Sequence, residues 1–395
     1  MPLSNPARNE AVQHEPQTPW ARRLSADGVH HVAIGQEPIP FPHARAVIFW
    51  NGECPVSINI ADSFDGNVSP VAPAFSSVSA GLSDESTAPT VSLVICTRDR
   101  PHELARCLAS LPEQSRSPQE IIVVDNASRT AETEKVCRAA GVRYVSEPRP
   151  GLDIARNTGA RSSTGEIVAY TDDDVVLHPR WLEQLVAAFD APAVWAVTGL
   201  VLPAELATPA QWHFERFWGF GRGFERTDFG PDFLRAHEDY GCPAWLIGAG
   251  ASMAFRRETF ERAGFFDERL DVGAAGCSGD SEFWHRILCC GGICRYEPSA
   301  VAFHYHRRDW TGLSRQIRAY MRGHAAALLV QYERSGRSGN LRRLFFAFPQ
   351  MYARRLFKWL AFRSDVSDRM TREEVAGLLS GIWFYLRTLK SRVAT

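Results

Sequence analysis

From Val91 onward the chain repeats one pattern that leaves few folds open. A short apolar run ends in polar residues, and a helical period follows it. "TVSLVICTRDRP" is the first such run, closing on Thr97, Arg98 and Asp99. "HELARCLASL" follows, with Leu104, Cys107, Leu108 and Leu111 three or four residues apart. "EIIVVDNAS" is a second strand ending on Asp125, and "AETEKVCRAAG" a helix closed by Gly141. "VRYVSE" is a third strand, "GLDIARNTGARSS" a third helix and "GEIVAYTDDD" a fourth strand. Runs apolar throughout, alternating with helices, specify an α/β fold: a mostly parallel sheet with helices on both faces. Ligands of such sheets bind at the carboxyl ends of the strands, where the polar residues collect.

The fourth strand ends on Asp172, Asp173 and Asp174, three adjacent carboxylates. Such a set suits a hard divalent cation, Mg²⁺ or Mn²⁺, with diphosphate oxygens completing its shell. A solvated turn or a cap for the next helix would explain one aspartate but not three. Asp125 stands where a carboxylate commonly meets a base or ribose, although "DNAS" is also a turn sequence. Arg156 lies near a helix N-terminus, where a guanidinium can grip an anionic diphosphate. The first loop has no G-x-G-x-x-G, which argues against a dinucleotide fold.

Taken together, "VSLVICTRDRP", "IIVVDNAS" and "GLDIARNTGARSSTGEIVAYTDDD" resemble the inverting family 2 glycosyltransferases of the GT-A fold, over about residues 90–308. The resemblance implies that Thr97, Arg98, Asp99 and Asp125 hold a pyrimidine nucleoside. It implies that Arg156, Asp172 and Asp173 face the donor and that Asp174 binds Mn²⁺ or Mg²⁺. Downstream, "WLIGAGASMAF" would supply the acceptor side, with Trp245, Gly248 and Gly250. "GCSGDSEFWHRIL" would supply the catalytic base, Asp280, with Glu282 nearby. "AVAFHYHRRDW" would supply a metal-binding histidine, His304, with His306 as the alternative. The implied donor is a UDP, dTDP or GDP sugar. The implied acceptor is a glycan or lipid-linked glycan of cell-envelope or exopolysaccharide type, with no nucleic-acid partner. Two other classes stay open: a sugar-1-phosphate nucleotidyltransferase, whose Gly-rich cradle "CTRDRP" lacks, and a non-catalytic carbohydrate-binding protein of the same fold.

The expected domains are a disordered segment at 1–28, a small β-rich element at 29–70, a linker at 71–90, the catalytic domain at 91–308 and a helical extension at 309–395. The hairpin signal in the β-rich element is "IFWNGECPV". The 40 residues from Leu206 to Trp245, dense in Trp, Phe and Gly, read equally as an acceptor-side loop or as a lid packed on the core. From Arg307 to Thr395 there are 18 Lys+Arg against 6 Asp+Glu, in a chain whose formal net charge is −1. That basic tail, with Leu341, Leu344, Phe345, Phe348 and Tyr352 beside its arginines, reads equally as a helix lying on an anionic membrane surface or as a packed appendage. The sequence shows no secretory apolar segment and no run long enough to span a bilayer, and "RQIRAY" is not the Q-x-x-R-W motif of processive synthases. The expectation is therefore a non-processive enzyme, cytoplasmic or peripheral on the cytoplasmic face. The nine cysteines have no framework spacing and read as reduced thiols.

Overall fold

The computed structural model describes residues 28–33, 44–66, 68, 89–271, 275–362 and 366–393. The expectations of a disordered start and of a linker fall almost wholly outside these residues.

Three strands come first: β1 (Val29–Ala33), β2 (Ala46–Asn51) and β3 (Cys54–Ile60). The hairpin joins β2 to β3 through Gly52-Glu53, between the paired Asn51 and Cys54, with Gly52 at φ +59° as the first residue of a two-residue turn. The sequence reading had no counterpart for β1, which pairs parallel to β2. This small sheet shares the core of the main body: Val29, Ile48 and Trp50 join one of its two large apolar clusters.

The main sheet has nine strands. β4 (Val91–Thr97), β5 (Glu120–Asn126), β6 (Arg143–Glu147) and β7 (Ile167–Asp172) pair parallel in the order β6-β5-β4-β7, as the repeating pattern demanded. Beyond β7 the sheet is mixed. β8 (Val175–Leu177), β9 (Val194–Pro203), β10 (Thr227–Phe229), β11 (Ser252–Arg256) and β12 (Ile293–His304) complete it. β11 runs antiparallel to both β7 and β9, β12 parallel to β9, and β8 and β10 antiparallel to β12.

Helices cover both faces. β4 divides its side chains by pleat: Leu93 and Ile95 enter one core and Val94 and Cys96 the other. The first core packs α1 (Pro101–Leu108), α2 (Glu132–Ala140) and, further along, α4 (Trp181–Ala187). The second packs α3 (Leu152–Ser162) between these in sequence. Gly159 of α3 lies so close to the sheet that a Cβ there would stand 2.3 Å from Val94 Cγ1.

α5 (Pro209–Trp218) opens with a capping box in which Thr208 and Gln211 satisfy each other's backbone amides. It is followed by α6 (Pro231–Ala236), α7 (Glu258–Ala263) and α8 (Gly279–Cys289). In the aromatic segment α5 enters the core, with Trp212, His213 and Phe214 buried, whereas from Gly219 to Tyr240 only Phe229 and Leu234 are buried. α9 (Trp310–Ser335), α10 (Gly339–Arg342), α11 (Phe348–Phe362) and α12 (Thr371–Val393) form the C-terminal extension. α9 buries Leu313, Ile317 and Met321, and α12 packs along it.

Candidate active site

The carboxyl ends of β4, β5, β7 and β12 converge on one set of charged residues. Thr97 closes β4 and donates from Oγ1 to Asp173 Oδ2 at 2.7 Å. Arg100, at the entrance to α1, reaches the same carboxylate pair: Nη1 lies 3.0 Å from Asp173 Oδ1 and 3.0 Å from Asp174 Oδ2. Asp173 is thus held on both oxygens by the first loop. Asp174 faces β12, where its Oδ1 lies 3.3 Å from His304 Nε2, and Arg307 comes within 3.9 Å of Oδ2.

His304 is the near end of a buried relay. Its Nδ1 lies 2.9 Å from His306 Nδ1, and His306 Nε2 lies 2.9 Å from Glu215 Oε2 on α5. Burial lowers the His306 pKa against the pull of Glu215, so the ring is neutral and carries one proton. A carboxylate beside Nε2 requires the proton there. His306 Nδ1 is then an acceptor and His304 Nδ1 donates to it, which leaves Nε2 as the His304 nitrogen that faces Asp174.

Arg156 is the second hub. α3 starts after Gly151 and buries the Arg156 guanidinium beneath the site. Nη1 bonds Asp153 Oδ1 at 3.1 Å and Nη2 lies 4.0 Å from Asp172 Oδ1. Asp280, in the first turn of α8, accepts from Gly250 N at 3.1 Å through Oδ2 and from Ser281 N at 2.7 Å through Oδ1. Gly250 needs to be glycine: a Cβ there would sit 2.6 Å from Arg156 Nη2 and 2.7 Å from Asp280 Oδ2. Arg156 and Asp280 therefore meet across one glycine. Asp280 is not the helix cap, since Ser278 occupies that position.

The charges in this cleft are in competition. Burial raises the Asp172 pKa, reinforced by Asp174 and opposed by Arg156. Burial and the Asp174 charge push Asp173 up to about 7. Burial also opposes ionisation of Asp174, but His304, Arg100 and Arg307 outweigh it and hold that carboxyl well below the usual range. Asp153 is pushed up to about 7, by burial and by Asp271 and Asp280, against the pull of Arg156. A divalent cation near Asp172 and Asp174 would relieve this crowding. Among the described residues no three His, Cys, Asp or Glu side chains form a ready metal cage. Asp174 and His304 nevertheless supply a hard oxygen and an imidazole nitrogen side by side, and Asp172 is partly exposed beside them. That donor set fits a cation whose remaining ligands come from a diphosphate.

Other residues singled out in the sequence are used differently. Asp125 closes β5: Oδ2 accepts from Tyr144 OH at 3.0 Å, while Oδ1 is buried without a hydrogen-bond partner. Asp99, at φ +55°, spends its carboxylate on the backbone and side chain of Arg129, and Arg98 is exposed. The indole of Trp245 packs edge-on to His324 of α9 with Arg343 over its face, and Gly248 presses on Thr198. The acceptor-side expectation for Glu282 is corrected. It is fully buried, with both oxygens on Arg286 at 2.8 and 2.9 Å and Arg334 3.5 Å away, so it ties α8 to α9. Arg100, Tyr144 and Glu215 were not singled out. For Glu215 one signal was available: Gln211 and Glu215 put polar groups four residues apart in an otherwise aromatic helix.

The model of the family described as glycosyl transferase family 2 matches residues 92–263. The match places a glycosyl transferase family 2 domain within the chain. Among its relatives is the O-antigen biosynthesis protein RfbC of Myxococcus xanthus, 30% identical over 210 residues, which are 51% of this chain and 16% of that one. A second is the glucosyl-dolichyl phosphate glucuronosyltransferase of Haloferax volcanii, 27% identical over 45% of this chain and 56% of that protein. A third is the succinoglycan biosynthesis protein ExoM of Rhizobium meliloti, 27% identical over 53% of this chain and 65% of ExoM. The chain thus spans less than two thirds of each of these relatives. The mannosyltransferase PcManGT of Pyrobaculum calidifontis, solved in complex with GDP-Man and Mn²⁺, superposes with a TM-score of 0.51 at 21% identity, over 76% of this chain and 89% of that one. The family 2 domain therefore has the GT-A fold.

Proposed function

We propose that this family 2 glycosyltransferase is a metal-dependent, inverting and non-processive enzyme. It moves a sugar from a UDP, dTDP or GDP donor to a hydroxyl of a glycan or lipid-linked glycan, on the cytoplasmic face of a membrane. The observation that carries this reading is the meeting of Arg156 and Asp280 across Gly250, beside Asp172 to Asp174. One group for the departing diphosphate and one for the incoming hydroxyl stand on either side of a single residue.

In the transfer step Asp280 takes the proton of the acceptor hydroxyl as its oxygen bonds to the anomeric carbon. The bond from that carbon to the diphosphate oxygen breaks, and the nucleoside diphosphate leaves with the electron pair. Arg156 lies where it offsets the charge that builds on the leaving group. Bound Mn²⁺ or Mg²⁺, held by Asp174 and His304 with Asp172 adjacent, would supply Lewis-acid stabilisation of the same charge. Thr97 and Arg100 fix Asp173, and through it the height of the aspartate run. The unpartnered, buried Oδ1 of Asp125 is an acceptor suited to a nucleoside N–H or O–H. Relatives named for O-antigen and succinoglycan biosynthesis support a cell-envelope or exopolysaccharide acceptor.

The test is nucleoside diphosphate release from a panel of sugar nucleotides, with and without Mn²⁺, followed by NMR of the product anomer. Mn²⁺-stimulated turnover that disappears in Asp174→Ala, with inversion at the anomeric carbon, is expected. Retention of configuration, or full turnover in chelator, would overturn the reading.

A further inference from the structure

We infer that α11, the turn before it and the outer face of α12 form a surface that docks the enzyme onto an anionic lipid bilayer. This deepens the membrane location proposed above and stands apart from the chemistry assigned to the cleft.

The inward face of α11 is already used. Phe348 and Tyr352 pack against the cluster of Met321, Leu328, Leu344 and Leu378. Tyr352 and Arg355 both bind Glu374 of α12, at 2.9 and 2.8 Å. The outward face has no such partners. Phe346, Pro349, Ala353, Leu356, Phe357 and Leu360 follow at helical spacing and form one stripe. Phe346 is 71% exposed, Phe357 69% and Leu360 69%. α12 repeats the pattern with Leu379, Trp383 and Leu386, all more than half exposed. Of the thirteen large hydrophobic residues exposed among the described residues, nine belong to residues 345–386. Scattered apolar residues need no explanation, but a stripe on two adjacent helices does.

The sequence reading placed Leu341, Leu344, Phe345, Phe348 and Tyr352 on the face beside the arginines. The structure turns Leu341, Leu344, Phe348 and Tyr352 inward and leaves Phe345 outside. A wider helical turn at Arg343–Ala347, with more residues than an α-turn, precedes Pro349 and rotates the residues after it. α9, at the start of the same basic tail, is packed on the body instead.

Charge selects the occupant. Residues 334–364 hold eight Lys+Arg and no Asp or Glu; Arg334, Arg337, Arg342 and Arg355 are paired with carboxylates elsewhere in the chain. Arg354 and Lys358, one turn apart and exposed, flank the apolar stripe of α11. Long basic side chains can lay their stems on apolar groups and reach phosphate with their heads. A second copy of this chain fits poorly, because a two-fold contact would set the basic rim against itself. Nucleic acid fits poorly too, since the centre of the patch is Phe, Leu and Trp rather than phosphate-binding polar groups. No helix among the described residues is long and apolar enough to cross a bilayer. These helices would lie in the headgroup plane, with Trp359 and Trp383 at its depth.

The test is sedimentation of the purified full chain with vesicles of phosphatidylcholine alone and of phosphatidylcholine mixed with phosphatidylglycerol. Binding to the mixed vesicles only, weakened by salt, is expected. Arg354→Glu with Lys358→Glu should weaken it at least roughly 30-fold, at about 1 kcal/mol for each basic residue near the surface. Phe357→Ala with Leu360→Ala should weaken it on the order of 100-fold. Both pairs are exposed, so circular dichroism should be unchanged. Donor turnover in solution, without vesicles, should also persist, and its loss in the wild-type enzyme would count against the transfer chemistry and not against docking. No sedimentation with mixed vesicles, or sedimentation of both double variants equal to that of the wild type, would overturn the inference. So would a dimer in solution that the Phe357 and Leu360 changes dissolve, because the occupant would then be a second copy.

Discussion

Replacing His306 with phenylalanine perturbs the metal ligand without touching it. His306 is buried and neutral, and its Nε2 proton is claimed by Glu215 at 2.9 Å. Its Nδ1 can then only accept, so His304 must donate to it across 2.9 Å. With Nδ1 committed to that bond, Nε2, which stands 3.3 Å from Asp174, is the nitrogen that a metal would take. Phenylalanine fills most of the ring volume but accepts no hydrogen bond, so His304 becomes free to carry its proton on Nε2. Loss of such an outer partner typically weakens a metal site 10–100-fold, roughly 1.4–2.7 kcal/mol. Mn²⁺ titration followed by electron paramagnetic resonance, with no donor present, reads this directly. Glu215→Gln keeps an acceptor and loses only the charge, so its effect should be smaller. Asp174→Ala removes a ligand, so its effect should be larger. A His306→Phe enzyme that binds Mn²⁺ as the wild type does would show that the relay is only packing.

Asp280→Asn should lower kcat about 10²–10⁴-fold while leaving Mn²⁺ affinity unchanged, because it removes the base and no ligand; near-normal turnover would exclude Asp280 as the base. Gly250→Ala should push the Arg156 and Asp280 ends apart by several tenths of an ångström from contacts of 2.6 and 2.7 Å, with kcat/KM down roughly 100-fold and little change in Tm; unaltered kinetics would show that the two groups do not act together. Burial lifts the folded pKa of Asp153 to about 7 from an ordinary carboxylate value of 3.8, so between these values the folded chain keeps a proton that the unfolded chain releases. Its stabilising contribution is present below about pH 4 and is lost as pH rises through 7. The Tm of Asp153→Asn relative to wild type should therefore climb from pH 4 to pH 8, and a falling trend would contradict the assignment.

The half of the sheet that could be read from sequence is the half whose strands are buried on both faces and connected locally. β4 is buried from end to end and mostly apolar because helices cover both its sides, and the parallel order then follows from the helices between strands. β9 is equally apolar, with all ten residues buried, yet nothing local says that it lies between β11 and β12. Its partners are 49 or more residues away, and β11 reverses direction between two strands that come earlier in the chain. The same distance hid Glu215, which meets a histidine 91 residues later. Arg100 was hidden differently. It is one of three charged residues in "TRDRP", and sequence cannot say that Arg98 turns to solvent while Arg100 turns back to the aspartates.

Carboxylates pose the sharpest form of this problem. Glu282 and Asp125 are both acidic residues set in apolar surroundings, and spacing alone gives both a place in the site. The structure separates them by what their oxygens already hold. Glu282 is saturated by Arg286, so binding anything else would mean breaking a buried ion pair. Asp125 gives one oxygen to Tyr144 and leaves the other buried with nothing to accept, a deficit of about 1–3 kcal/mol in the folded chain. A fold does not need that cost to stand. A ligand that donates to Oδ1 would recover it, which is why an unsatisfied acceptor at the end of β5 argues for binding more strongly than the presence of an aspartate does. Asp125→Asn tests the point: if Oδ1 serves a ligand donor, nucleotide affinity should fall while Tm holds or rises, and a fall in Tm with affinity intact would return Asp125 to the structural carboxylates.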